Sequence, residues 1–167
     1  MSAIAVVTKP LSRPYPCRAF YDTIGDTLSA GIKQRGSFKH SLEGDDCSFD
    51  LTRDGRLLNI DIWKPRREWR IETAIHPPEE LERLNIALQT NGNGRGLAEI
   101  DYLTDAKRSL VNIKFSRERV AQFVSPATSL IVELNEASQL AGIWLLGIID
   151  DINFQKEGEW RRSIKAV

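Results

Sequence analysis

The chain has 167 residues, of which 41% are hydrophobic and 28% charged, a composition typical of a soluble globular protein. Lysine plus arginine equals aspartate plus glutamate at 23 each, so the zero net charge excludes the overall basic excess typical of nucleic-acid binders. The longest apolar runs, residues 3–7 and 143–149, are too short to span a bilayer, so we expect a soluble cytoplasmic protein with no membrane partner.

The first 50 residues predict an extended arm followed by strands. Residues 1–16 contain three prolines and are interpreted as the arm. The segment AFYDTIGDTLSAGI, residues 19–32, predicts a strand, a short polar turn flanked by Asp22 and Asp26, and a second strand. Residues 37–43 predict a further strand. The two cysteines, Cys17 and Cys47, are too few for a disulfide framework or a zinc site.

The segment DDCSFDLTRDGRLLNIDIW, residues 45–63, predicts a β-hairpin. Asp54-Gly55 favours a two-residue type I′ turn, which places Arg53 opposite Arg56. The facing pairs are then Leu51 with Leu58, Phe49 with Ile60, and Cys47 with Ile62, all on one apolar face. The other face carries Asp50 and Asp61 and is mostly polar, so a slip of one residue would scramble both faces.

A connection of residues 64–98 follows. Residues 69–75 alternate like a strand that ends at Pro77-Pro78, and residues 78–83 predict one helical turn. We interpret residues 84–90 as a strand, although their leucine spacing also fits a helix. NGNGRG, residues 91–96, lacks the lysine and hydroxyl residue of a phosphate-binding loop and predicts a turn.

The second half of the chain resembles the first. Shifted by 83 positions, FDLTRDGRLLNIDI becomes VELNEASQLAGIWL, in which the turn keeps its length and loses its glycine. Residues 99–113 resemble 19–32 with about one residue inserted, and residues 119–124 predict another strand. We therefore infer a diverged internal duplication with repeats at about 17–63 and 99–147 in a single unit of residues 1–167. Residues 151–167 predict a last strand or a loose tail.

The second hairpin is apolar on both faces, because Ile131 and Trp144 stand where the first hairpin has polar groups. Strands that are apolar on both faces are usually covered on both. We therefore expect the second half to lie at the centre of the molecule or at a subunit contact. The predicted fold is mainly β, two tandem antiparallel meanders with one or two short helices at most, forming a sandwich or a barrel-like unit.

The residues Tyr21-Asp22-x-x-x-Asp26-x-Leu28 and Asp54-Gly55-x-Leu57-x-x-Ile60-x-Ile62 resemble a family of short bacterial β-meander proteins of unknown function. The resemblance covers about 45 residues of the first half. In the second half Leu103 follows Tyr102 in place of the aspartate, and Ser138 replaces the turn glycine. The resemblance implies a β fold and a partner in small two-gene modules, and it implies no catalytic residues.

Three classes of function remain open on the sequence alone. The absence of a nucleophile elbow, of a cysteine beside a base and of a recognisable metal motif favours a non-enzymatic protein-interaction module, antitoxin-like, immunity-like or homodimeric, without a cofactor. The first alternative is a small-ligand or metal-dependent enzyme with a cleft between the repeats. The second is a protein that binds single-stranded nucleic acid through the arginines around Trp69 and Trp160. The candidate site residues are Asp22, Asp26, His40, Glu43, Trp69 and Trp144.

Overall fold

Strands dominate the computed structural model, which describes residues 3–90, 97 and 99–164. The mainly β prediction is confirmed. In chain order the strands are β1 (Ala5–Pro10), β2 (Cys17–Asp22), β3 (Thr27–Ile32), β4 (His40–Glu43), β5 (Cys47–Leu51), β6 (Leu57–Ile62), β7 (Arg70–Ile71), β8 (Leu84–Gln89), β9 (Asp101–Thr104), β10 (Val111–Lys114), β11 (Val120–Ala127), β12 (Leu130–Asn135), β13 (Leu140–Leu145) and β14 (Ile149–Asp151). A 3₁₀ turn covers Arg66–Glu68, and the α-helix α1 is Gln155–Ser163.

The strands form two six-stranded sheets and one two-stranded ribbon. The first sheet has the order β14-β2-β3-β6-β5-β4, and the second sheet has the order β7-β9-β10-β13-β12-β11. Neighbours are antiparallel except at one edge of each sheet, where β14 runs parallel to β2 and β7 parallel to β9. The ribbon pairs β1 with β8. Neither sheet closes on itself within the described residues, so the arrangement is layered.

The inner faces of both sheets contribute to one hydrophobic core. Period-two alternation turns every second side chain of the central strands inward. The Phe49 ring of the first sheet meets the ring of Phe115, which follows β10, at 5.6 Å between centroids. The fully buried members of the core from these strands include Leu28, Phe49, Ile60 and Ile62 of the first sheet and Val111, Ile113, Val132 and Ile143 of the second.

The first hairpin keeps the predicted register away from its turn. The pairs Cys47 with Ile62 and Phe49 with Ile60 are confirmed, but Leu51 faces Leu57 rather than Leu58. Only Gly55 of the turn has a positive φ, 86°, and Thr52 N donates to Arg56 O at 2.9 Å. The type I′ prediction is therefore wrong: the loop has three residues with glycine in the left-handed position, and a bulge restores the register.

The second hairpin has the same turn geometry without a glycine. Asn135 N donates to Gln139 O at 3.0 Å, Leu134 faces Leu140 with the same bulge, and Ser138 takes the left-handed position with a φ of 56°. Its strands are apolar on both faces, and both faces are covered in the structure. Ile131 is 2% exposed and Trp144 is 6% exposed, so the predicted subunit contact is not needed to bury them.

Several predicted elements differ in the structure. Residues 78–83 contain no helical turn and the strand predicted at 69–75 shrinks to β7, whereas the strand at 84–90 is found as β8. The N-terminal arm is a paired strand, β1, because β8 supplies its hydrogen-bonding partner. Residues 155–163 form α1 rather than a strand or a tail. The turn predicted at 91–96 lies outside the described residues.

The outer faces of the two sheets are covered differently. Helix α1 lies on the first sheet, where Trp160 packs on Phe20 at 5.8 Å between ring centroids and Arg161 donates to Asn59 at 2.9 Å. Residues 72–81 lead from β7, at one edge of the second sheet, to Glu82, which bridges to β11 at the opposite edge. This segment therefore joins the two opposite edges of the second sheet. None of the described helices is long and apolar enough to cross a membrane.

Candidate partner-binding surface

The last strands of the two halves cross over, because β7 pairs with β9 of the second sheet and β14 pairs with β2 of the first. Beside this crossover the β2–β3 turn meets the 3₁₀ turn after β6 and the junction between β14 and α1. We call this region, residues 21–26, 64–69 and 149–154, the crossover surface. Three of the six candidate residues predicted from sequence, Asp22, Asp26 and Trp69, lie in it.

Asp22 ties two of these segments together through backbone donors. Its Oδ1 accepts from the amides of Ile24 at 3.2 Å and Asn153 at 2.9 Å, and its Oδ2 accepts from Gly25 N at 3.1 Å. The side chain is 6% exposed. Because a Cβ on Gly25 would lie 2.7 Å from Oδ2, this turn needs a glycine there. Asp22 is thus a backbone clamp whose oxygens are already occupied.

Asp151 performs a similar task at the start of α1. Phe154, at the N-cap position, has no side-chain acceptor, and Asp151 instead accepts from Lys156 N and Glu157 N, both at 3.0 Å. Burial alone would raise the pKa of Asp151, but donation by these amides and by Ile152 N outweighs it and lowers the pKa below the usual 3.8. The ionised carboxylate therefore satisfies the amides that open the helix.

Tyr21 is the buried centre of the surface. Its hydroxyl donates to Asp26 Oδ1 and accepts from Arg66 N, both at 3.0 Å, and its ring meets Trp69 edge to face at 6.0 Å. Burial raises the pKa of Tyr21. Trp69 is 2% exposed and donates through Nε1 to Lys64 O at 3.1 Å. These bonds fix the position of the 3₁₀ turn and its two arginines.

Both arginines form ion pairs across the surface. Arg66 Nη1 lies 2.5 Å from Asp150 Oδ1, and its guanidinium carbon lies 4.4 Å from the centroid of the Tyr21 ring. Arg67 Nη1 lies 2.9 Å from Asp26 Oδ2. The hydrogen bond from Arg67 and that from Tyr21 lower the pKa of Asp26, and the hydrogen bond from Arg66 lowers that of Asp150. Asp26 and Asp150 are therefore held ionised.

Two isoleucines stand exposed on this framework. Ile24, in the β2–β3 turn, is 64% exposed, and Ile152, directly after β14, is 53% exposed. The segments that carry them meet at Asp22, which binds the amide of Ile24 and the amide of the residue after Ile152. Next to them, Asn153 and Phe154 have φ angles of 50° and 55°. A left-handed phenylalanine is an uncommon, strained conformation of the kind that often marks functional segments.

The other three candidate residues lie elsewhere. His40 is half-buried in β4 with Nε2 3.0 Å from Thr90 Oγ1, and Glu43 is exposed at the end of the same strand. Trp144 is buried on the outer face of the second sheet. Among the residues that the structure describes, no three His, Cys, Asp or Glu side chains gather as a metal site would.

The alternative of a ligand-binding enzyme needs a cleft between the two repeats. A candidate is an open hollow of about 1060 Å³ beside β9 and β10. Among the described residues, Arg70 is its only lining residue from the first half, so the hollow belongs mainly to the second half. Its basic side chains (Arg70, Lys114 and Arg117) are matched by acidic ones (Glu99, Asp101 and Glu118). The balance of charge selects neither an anion nor a cation.

Binding of single-stranded nucleic acid needs exposed aromatic side chains on which bases can stack. The two tryptophans proposed for this role are buried. Trp69 is 2% and Trp160 is 8% exposed, so neither indole offers a face for stacking. The neighbouring arginines pair with acids of the chain itself, as Arg70 does with Glu72 at 3.7 Å and Arg161 with Glu157 at 2.7 Å. These contacts weaken the case for a nucleic-acid surface.

Sequence reasoning missed Asp150 and Asp151 as members of this surface, and it considered Arg66 only as part of a nucleic-acid-binding cluster around Trp69. A usable signal was present, because acidic residues just before a helical segment commonly bind its first amides. No family model matches the chain, and the search of curated proteins likewise finds no match.

Proposed function

We propose that the chain is a non-enzymatic protein-interaction module whose crossover surface binds a protein, in the manner of an antitoxin or immunity protein or by self-association. The observation that carries the proposal is that Ile24 and Ile152 are both exposed on segments whose backbone Asp22 holds together. Fully burying an isoleucine is worth about 1.5–3 kcal/mol. A rigid apolar centre with charged residues around it is the usual anatomy of a protein interface.

The charged rim supports specificity. Asp26, Arg67 and Asp150 reach solvent, and their pairing within the chain fixes where each charge stands before a partner arrives. Preorganised side chains lose less conformational entropy on binding. Asp22, Asp26, Asp150 and Asp151, by contrast, are already engaged by backbone amides, arginines or Tyr21, which makes each of them a poor general base.

The test is the double variant Ile24→Ser with Ile152→Ser. A control variant, Phe38→Ser, removes an exposed aromatic (60% exposed) from the loop before β4. Sedimentation velocity over a range of concentrations measures self-association, and affinity capture by the tagged protein measures partner binding. We expect the double variant to lose the association that the wild type and the control both retain.

The proposal is wrong if the wild type is monomeric and captures no protein, or if the double variant associates as the wild type does. Thermal-shift measurements with divalent metals and a ligand panel test the enzyme alternative, and stabilisation there would favour it. A salt-sensitive gel shift with single-stranded DNA or RNA would favour the nucleic-acid alternative.

A further inference from the structure

The two halves of the chain use the same sequence of strand pairings. Each strand from β1 to β7 matches the strand seven places later, and under this match the two six-stranded sheets have the same order. The residue pairs agree as well. Leu28 with Ile62 becomes Val111 with Leu145, and Phe49 with Ile60 becomes Val132 with Ile143, each shifted by 83 positions.

The same shift corrects the sequence match in the first hairpin of each half. Tyr21 faces Leu28, and the residue facing Val111 is Thr104, so Tyr21 corresponds to Thr104 rather than to Tyr102. Asp22 then corresponds to Asp105, which accepts from Ser109 N at 2.7 Å in its own turn. The aspartate that the sequence comparison treats as lost in the second half is therefore present as Asp105. No residue is inserted between the two strands of this hairpin.

The edges of the sheets show that the halves exchange strands. β7, from the first half, pairs with β9 of the second sheet, and β14, from the second half, pairs with β2 of the first sheet. Each exchanged strand follows the central β6 or β13 of its own half. Reciprocal contacts of this kind are the signature of a two-fold symmetric interface.

The ribbon of β1 and β8 makes a second exchange between the halves, at the turns of the two long hairpins. Val6 N, in β1, donates to Ser138 O of the second hairpin turn at 2.9 Å, and Leu88 N, in β8, donates to Gly55 O of the first turn at 2.8 Å. The strand that opens each half thus closes the hairpin of the other. A Cβ on Gly55 would lie 2.2 Å from Leu88 O, so the contact is close.

From these four crosswise contacts we infer that the chain is a tandem fusion of a strand-exchanged, two-fold dimer. Each half is a binding module whose partner is a second unit of the same fold. Its inner face, lined in the first half by residues such as Leu28, Phe49 and Ile60, is covered by the other half. A lone half would expose that face and lack one edge strand. This inference is independent of what binds at the crossover surface.

Cutting the connection between the halves tests the inference on the full-length protein. A protease recognition sequence is inserted between Glu79 and Glu80, both exposed, and the folded protein is cut. We expect the two fragments to sediment together as a one-to-one complex. After the cut, the unfolding midpoint of the fragments should rise with protein concentration, because the fragments must associate to fold. The unfolding midpoint of the uncut protein should not depend on concentration.

The fragments are then separated in denaturant and refolded alone and together. We expect the mixture to regain the one-to-one complex and each fragment alone to form a dimer or to aggregate. A fragment that refolds alone as a stable monomer, or two fragments that unfold in separate transitions, would overturn the inference. If the insertion prevents folding of the uncut chain, a second one between Thr73 and Ala74, also exposed, takes its place.

Discussion

At the residue scale, the aspartates of the family-like motif are explained by folding. Asp22 accepts three backbone N–H bonds, and Asp105, at the corresponding position, accepts from Ser109 N and Oγ. Burial would raise the pKa of Asp105, but the bonds from Ser109 outweigh it and lower the pKa. A carboxylate engaged in this way is a poor metal ligand or base, and for this reason we place function on the exposed isoleucines.

Ser138 gives the first prediction at this scale. It stands in the left-handed region with a φ of 56°, where the first hairpin has Gly55. Since a side chain is strained there and glycine is not, Ser138→Gly should raise the free energy of unfolding by about 0.5–1 kcal/mol. Denaturant unfolding measures the change. Gly55→Ser should lower the same quantity, because its Cβ would meet Leu88 O, and a stabilising Gly55→Ser would contradict the assigned turn.

At the element scale, the outer face of the second sheet contains a buried charge. Glu133 of β12 is 1% exposed, and its carboxylate accepts from Lys114 Nζ at 2.9 and 3.0 Å and from Asn112 Nδ2 at 3.3 Å. Gly142 of β13 makes room for it, because a Cβ there would lie 2.1 Å from Glu133 Oε1. The ion pair therefore depends on a missing side chain in the neighbouring strand.

Gly142→Ala should displace this carboxylate from its partners. Leaving a buried charge without its partner costs about 3–5 kcal/mol. Denaturant unfolding should therefore show a decrease of this order in the free energy of unfolding. The matched control is Gly158→Ala in α1, where the nearest atom to the new Cβ is Arg162 Nη1 at 3.3 Å and alanine favours the helix. If both variants were equally stable, the role of Gly142 would be disproved.

Helix α1 depends on Asp151 in the same local way. Asp151→Ala removes the acceptor for three amides and should cost about 0.5–2 kcal/mol, as the loss of a helix cap does. Hydrogen exchange of residues 155–163 should accelerate, because the helix end frays from the first sheet. Glu159→Ala, at an exposed position of the same helix, is the control. Unchanged exchange in Asp151→Ala would show that Trp160 and Arg161 hold the helix without the cap.

Period-two patterns predicted the central strands well, and the exchanged elements poorly. Phe49 and Ile60 could be paired from sequence because alternation and a turn signal act within 15 residues. β7 and β14 have two and three paired residues, and their partners lie far away in the chain. Local sequence carries little information about such pairs. The exposed Ile24 and Ile152 were missed for the same reason, since only the fold brings their segments together at Asp22.

At the scale of the whole molecule, acidic groups dominate the expected pH dependence. Among the residues that the structure describes, five carboxyls have a pKa lowered below 3.8, mainly by hydrogen bonds from arginines, hydroxyls or backbone amides; they are Asp26, Asp54, Asp105, Asp150 and Asp151. A lowered pKa in the folded state contributes stability that is present above 3.8 and lost as the pH falls through the folded value. We therefore expect the free energy of unfolding to decline steeply below about pH 4.

Asp61 should act in the opposite direction, and a pair of variants separates the two effects. Burial on the α1 side of the first sheet raises its pKa, so ionisation of Asp61 costs stability as the pH rises. In urea unfolding at pH 7, Asp61→Asn should gain stability relative to wild type, whereas Asp150→Asn should lose up to about 1 kcal/mol with its Arg66 pair. As the pH falls below 3.8 the Asp61 difference should shrink, because its carboxyl is then largely protonated in both states, whereas the Asp150 difference should shrink only as the pH falls through its lowered folded pKa. A difference for either variant that does not change with pH would show that its effect comes from packing rather than from charge.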